Sequence, residues 1–417
     1  MLRLHSLSKQ HFFLLLSLYV TQYLGLSFFM EALVAILRKN GMPLEQLGSI
    51  YLIGLFWVLK FCWAPAIDRY RLLPIGHYKG WLLVLQGLMV VLLLVVGRFS
   101  VTDDLAIILV LCLLIGFMAA TQDVAVDTLA FSLLSVEDRG VGNGAKVAGG
   151  MLGYMLGGGL GLIAYAAIGW GWCLTLLAAL TSVSFFQLLW FREKAHTVDT
   201  PNTGVYVRRF LVFWKARDKR RWLGLLLLYP LGICICYALI IPILVDLGWP
   251  LEKIGVVMNI IGALFGTVAA FASGWLIKRF GRRRILISMA LGQALSILLL
   301  LLPVTGHNSI MCVAAAIGGL LCFYSPSATV LSTIMMDQTS KETPATDFAM
   351  QHSLYLLVNF IGSTLGMTLA GLFGYAAVIV LASLVSLSAM FASIKIYRPA
   401  QPDRKEMKEI SLETVKL

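Results

Sequence analysis

The sequence predicts an all-α polytopic membrane protein of twelve transmembrane helices, and three observations carry that prediction. Hydrophobic residues make up 59% and charged residues only 13% of the 417-residue chain, against roughly 25% charged in an ordinary soluble domain. The apolar runs are continuous over about 20 residues, the length a helix needs to cross the hydrocarbon core, and do not alternate as barrel strands do. Short polar segments separate them.

The spans are expected at 11–36, 46–67, 80–97, 105–131, 144–168, 170–191, 222–247, 251–277, 285–304, 309–334, 347–373 and 374–396. The net charge of +12 invites a nucleic-acid reading, which its distribution excludes. Of the 33 Lys and Arg, four (Arg38, Lys39, Arg98, Lys253) fall on one side of this topology and Lys60 and Lys146 fall within spans. The remaining 27 share the other side with both termini, so both termini are expected in the cytoplasm. The organisation expected is an N-terminal six-helix bundle (1–191), a cytoplasmic linker (192–221), a C-terminal six-helix bundle (222–396) and a cytoplasmic tail (397–417).

Span 1 follows Arg3 and Lys9 and runs directly into further spans, so it reads as an uncleaved helix rather than a signal peptide. It carries Gln22 at depth and Glu31 about two turns from the outer surface. Two readings fit Glu31: an acid at the water interface, or a cavity residue near the outer mouth. Span 2 carries Lys60 and closes in Asp68-Arg69. Lys60 either snorkels to the surface or pairs with an acid inside. An acid at the place of Asp68 suits the N-terminus of a neighbouring helix.

Span 4 holds Gln122-Asp123-Val124-Ala125-Val126-Asp127. Four residues apart, the two carboxylates stack on one helix face. Ionisable groups at membrane depth are costly and normally face a cavity or a partner. Span 5 begins with Lys146 and is rich in glycine, with Gly149, Gly153 and Gly157 at four-residue steps. That spacing lets helices approach closely, as static packing or as a sliding surface. Asp123, Asp127 and Lys146 form the best chemical candidate, either a proton-coupling site or a structural cluster joining spans 4 and 5.

The linker holds nine basic residues with Pro201 and Gly204 and is too polar to cross a bilayer. Beyond it the pattern repeats. Span 8 closes in Lys278-Arg279, with Arg279 at the place of Arg69 and Lys278 replacing the acid. Gly362 and Gly366 of span 11 echo the span-5 glycines, and His352 falls where Lys146 does. Histidine titrates near neutrality, so His352 is a candidate for coupling as well as for structure. Two similar halves of six spans make a parallel repeat. The seven cysteines all fall within spans, and no metal-ligand spacing, cofactor motif or phosphate loop is present in the sequence. No catalytic set gathers at one face, so a transporter is expected rather than an enzyme.

The run Lys60-Phe61-Cys62-Trp63-Ala64-Pro65-Ala66-Ile67-Asp68-Arg69 resembles a Lys-Phe-x-Trp-Ala-Pro-x-x-Asp-Arg signature of the AmpG-like permeases, a branch of the major facilitator superfamily. That family also carries Gln-Asp-x-x-x-Asp in span 4, matched by Gln122 to Asp127, and an acid-Arg-Gly loop, matched by Asp138-Arg139-Gly140. The resemblance covers the first half well and the second half in span layout. It implies the major facilitator fold, alternating access, and a conformational role for Asp68, Arg69, Arg139 and Arg279. Segments around Leu24–Leu33 and Leu44-Glu45-Gln46-Leu47-Gly48 look more like the siderophore permeases of the RhtX/FptX type, with Phe56 departing from an expected proline. That branch implies a proton-coupled siderophore importer of the bacterial inner membrane serving iron acquisition, monomeric and without cofactor. The alternatives are a muropeptide permease of the AmpG type and an acetyl-coenzyme A transporter. Under each, Asp123, Asp127, Lys146, Glu31, Gln22, Lys60 and His352 are the coupling and cavity candidates.

Overall fold

The computed structural model describes residues 8–39, 50, 53–101, 103–193, 213–215, 217–250, 254, 256–307 and 309–397. Ten helices among them are long and apolar enough to cross a membrane. They are α1 (Lys9–Leu33), α3 (His77–Val96), α4 (Leu105–Leu133), α5 (Arg139–Ile168), α6 (Trp170–Trp190), α7 (Lys219–Asp246), α8 (Val256–Phe280), α9 (Arg282–Val304), α10 (Ile310–Asp337) and one 53-residue element, Pro344–Ile396. The last is two spans. Gly374 inside it has φ +78, a left-handed conformation that glycine adopts without a steric penalty, so it divides into α11 (344–373) and α12 (375–396). The remaining span, α2 (55–69), is broken into Leu55–Leu59, Lys60–Cys62 and Ala64–Arg69. Pro65 at the start of its last turn fits there because the first helical N–H groups have no partner to lose.

Twelve apolar segments result, close to the expected ones. Most of the linker (194–212 and 216), the tail beyond Tyr397, the segment Leu44–Gly48 and the side chains of Arg38, Lys39 and Asn259 lie outside the described residues. Polar side chains fix several ends. Ser8 and Ser309 accept from the backbone N–H groups of His11 (3.2 Å) and Cys312 (3.3 Å), capping α1 and α10. Three helices widen to a π-helical turn at Phe28–Leu33, Met155–Leu160 and Val256–Gly262. Such turns break the regular i→i−4 ladder and bend a helix.

The buried apolar side chains separate into three groups. One, at the end of the molecule carrying most of the basic residues, draws on both halves: Leu15, Ile67 and Leu129 pack with Ile277, Leu331 and Phe348. The other two lie toward the opposite end. One is built on α1–α6, around Phe28, Ile53 and Ile115, and the other on α7–α12, around Ile235, Ile317 and Ile379. The halves therefore share a core at the basic end and keep separate cores beyond it. Close backbone approach holds α5 to α8: a Cβ on Gly144 would lie 2.8 Å from the Ala270 carbonyl, and one on Gly274 would lie 2.9 Å from Val141 Cα.

Candidate functional site

Midway along the bundle, α1, α2, α4, α5 and α11 converge on one buried ionic cluster. Asp123 and Asp127 project from the same face of α4, and neither has more than 2% exposure. Lys60 of α2, fully buried, donates to Asp123 Oδ2. Its Nζ also lies 2.7 Å from His352 Nδ1 on α11. Gln22 Nε2 of α1 donates to the other Asp123 oxygen at 2.9 Å. Lys146 Nζ of α5 donates to Asp127 at 2.6 Å and lies 3.7 Å from Asp123. The Tyr19 hydroxyl donates to Asp127 at 3.0 Å.

The sequence candidates Asp123, Asp127, Lys146, Lys60, Gln22 and His352 thus meet at one place. Lys60 does not snorkel out; the break in α2 places it inside. Glu31 stands apart, packed on the wide turn of α5, where a Cβ on Gly158 would come within 2.3 Å of its Oε2. Tyr19 is a member that the sequence reading missed. It lies three residues before Gln22 and shares its helix face, which was the available signal.

Above the cluster, between the halves, a cavity of about 310 Å³ opens, at the lower end of the range typical of small-molecule sites. Its wall is aromatic: Tyr23, Trp57 and Tyr154 from one half, Tyr324, Tyr355 and Phe360 from the other. Tyr23 stacks on Trp57 with ring centroids 6.2 Å apart and contacts Tyr154 at 5.6 Å. Lys146 and His352 supply the ionisable part of that wall. His352 is held between the parallel rings of Phe348 and Tyr355, each centroid 5.9 Å away. A flat or ring-shaped ligand with an acidic group matches this lining.

The basic end is shut by polar contacts between halves. Asp68 accepts from Ala345 N (2.9 Å), Thr346 N (2.8 Å) and Thr346 Oγ1 (2.6 Å), capping α11 from α2. Arg139 donates to Asp337 at 3.0 Å, and Lys278 to Asp138 at 2.7 Å. Arg282 donates to the Val136 carbonyl of the other half and, within its own half, to Asp337. Arg279, expected in the conformational motif, does not make the contact between halves in this conformation. Its guanidinium lies over Trp275 (5.3 Å) and Phe280 (5.6 Å) at the exposed surface, and the neighbouring Lys278 makes the contact to the other half. One helical position is a 100° rotation, enough to turn a side chain from the interface to the surface. Arg69 lies over Tyr70 at 5.3 Å, beside rather than within the Asp68 cap.

An ionic cluster beneath a central cavity, closed at one end by contacts that two halves make with each other, defines a secondary transporter. The chain belongs to the Major Facilitator Superfamily, whose family model matches residues 4–269 and 234–414. Among curated proteins it is 29% identical over 327 residues to the anhydromuropeptide permease of Escherichia coli strain K12, covering 77% of this chain and 66% of that protein's length. It is 23% identical over 380 residues to "Putative transporter AmpG 4" of Rickettsia felis, covering 85% of this chain and 89% of the other. Among solved structures, the human organic anion transporter MFSD10 (TETRAN) superposes with a TM-score of 0.72 at 14% identity, covering 92% of this chain and 99% of that one. The last likeness is one of fold.

Proposed function

We propose that this protein is a proton-coupled importer of cell-wall-derived sugar peptides, anhydromuropeptides, across the bacterial inner membrane. The observation that carries the reading is the likeness to the anhydromuropeptide permease along 77% of the chain. It moves the muropeptide alternative ahead of the siderophore reading, whose motif around Leu44–Gly48 lies outside the described residues, and ahead of acetyl-coenzyme A. Two features of the cavity support it. The rings of Tyr23, Trp57 and Tyr355 offer flat apolar faces to a sugar. Lys146 and His352 offer polar partners to a peptide carboxylate or amide.

In this reading the basic end is cytoplasmic and both termini with it, because the loops there carry the Lys and Arg excess. The shared core and the Asp68, Asp138 and Asp337 contacts then close the inner side, so the conformation is the one that receives ligand from outside. The buried cluster is the coupling site. Uptake of radiolabelled anhydromuropeptide into right-side-out vesicles of a strain lacking its own permease tests the reading. Saturable uptake, abolished by a protonophore and not displaced by ferric siderophore or acetyl-coenzyme A, is expected. Siderophore uptake without muropeptide uptake would reverse the ligand assignment.

A further inference from the structure

We propose that Lys146 is the group that holds a ligand carboxylate, and that Asp127, released from Lys146, takes up one proton as that carboxylate binds. The identity of the ligand rests on the muropeptide reading above; the exchange itself does not. Whereas His352 reaches Asp123, Lys146 is the member of the cavity wall that reaches both acids. Its ammonium is 2.6 Å from Asp127 and 3.7 Å from Asp123, while its side chain lines the cavity. Asp123 and Asp127 themselves do not line it. An anion arriving from the cavity meets Lys146 before either acid.

The two acids are not equivalent. Asp123 is held by Lys60 and Gln22 as well as by Lys146, so it keeps a cation if Lys146 turns away. Asp127 would keep the Tyr19 hydroxyl, a neutral donor. The groups facing Asp127 are Tyr19 and, further along, Tyr23 from α1 and Lys146 from α5, with Asp123 on its own helix and, beyond Asp123, Lys60 from α2 and His352 from α11. Two lysines balance two aspartates, and a ligand carboxylate adds one negative charge to a cluster whose charged side chains are almost wholly buried. A buried unpaired charge is strongly unfavourable, and a proton on Asp127 removes it. His352 is the wrong place for that proton. Its Nδ1 sits 2.7 Å from the Lys60 ammonium, so a proton there would set two cations in contact. The exchange is therefore Lys146–Asp127 for Lys146–ligand, with one O–H bond formed on Asp127. On the return, proton loss from Asp127 reclaims Lys146 and expels the ligand.

Calorimetry of ligand binding to the purified protein, in two buffers of different ionisation enthalpy, counts the protons. The probes are an anhydromuropeptide tripeptide with free carboxylates and its fully amidated analogue. The wild type is expected to take up one proton with the acid and none with the amide. Where Asp127 is ionised beforehand, its affinity for the acid should fall about tenfold per pH unit. Asp127→Asn should bind the acid with no proton uptake and no such slope. Proton uptake that persists in Asp127→Asn, or acid binding by the wild type with none, overturns the proposal.

A second arm needs no ligand. Lys146→Met, or Lys146→Gln if the first does not fold, should show an infrared band of a protonated carboxyl. Adding Asp127→Asn should remove that band and adding Asp123→Asn should leave it. The band in this variant, with no muropeptide binding by the wild type, would uphold the exchange and reject the muropeptide reading. Its absence overturns the exchange, whatever the ligand.

Discussion

Lys60 and Asp123 have no solvent-exposed surface, and each is the other's direct counter-charge. Breaking such a pair from one side leaves an uncompensated buried charge, at a cost of about 3–5 kcal/mol. Lys60→Met alone and Asp123→Asn alone should each destabilise the protein by that order, and the double variant by clearly less than the sum. Unfolding of the three variants in detergent, read as a double-mutant cycle, checks this. The acids were legible in the sequence because charge inside an apolar run is expensive and their four-residue spacing fixes a common face. Their partners were less so. Lys60 and His352 are 292 residues apart in the chain, and no local periodicity brings such a pair together. Whether Lys60 pairs inward or snorkels out depends on the break in α2, a backbone feature with no unambiguous residue signal.

At the scale of helices, the two contacts that close the basic end are of different kinds. The first is a charged cap. Asp68 satisfies two backbone N–H groups at the start of α11 and complements its dipole. Asp68→Ala should remove about 1–2 kcal/mol of that stabilisation. Its expected readout is faster labelling of a cysteine placed at Thr346 by a reagent added from the basic side. The second is a fit of backbones. Gly140 and Gly144 of α5 lie against Ala270, Gly274 and Ile277 of α8, while Gly149 and Gly153 lie against Tyr19 and Tyr23 of α1. Gly144→Val should leave the α1 contact intact and prevent closure, so expression persists while uptake falls at least tenfold. The four-residue spacing of Gly149 and Gly153 announced close packing, while Gly140 and Gly144 were not singled out. That one stretch serves two partners, one in each half, follows from the bundle geometry and is invisible in a linear pattern. The same limit explains Arg279: the repeat located the basic motif, but only helix phase decides that Lys278 faces the partner half.

For the molecule as a whole, the proposed function assigns a core shared at the basic end and divided at the other to the extreme of alternating access that receives ligand from outside. The polar contacts of Asp138 and Asp337 are then a latch that must open in each cycle. Lys278→Gln with Arg282→Gln should shift the population toward the state open at the basic end. Spin labels on cysteines at Leu72 and Lys341, one in each half, should report a longer distance component by pulsed dipolar spectroscopy. The twelve-span architecture was legible from hydropathy because a bilayer imposes length and apolarity on each crossing. The exception was α2, whose broken helix lies outside the simple pattern. The measurement that tests the coupling claim most directly is accumulation of labelled anhydromuropeptide in proteoliposomes under an imposed inward proton gradient. The account predicts that the wild type concentrates the ligand, whereas Asp127→Asn exchanges it across the membrane without concentrating it. Accumulation by Asp127→Asn equal to that of the wild type would contradict it.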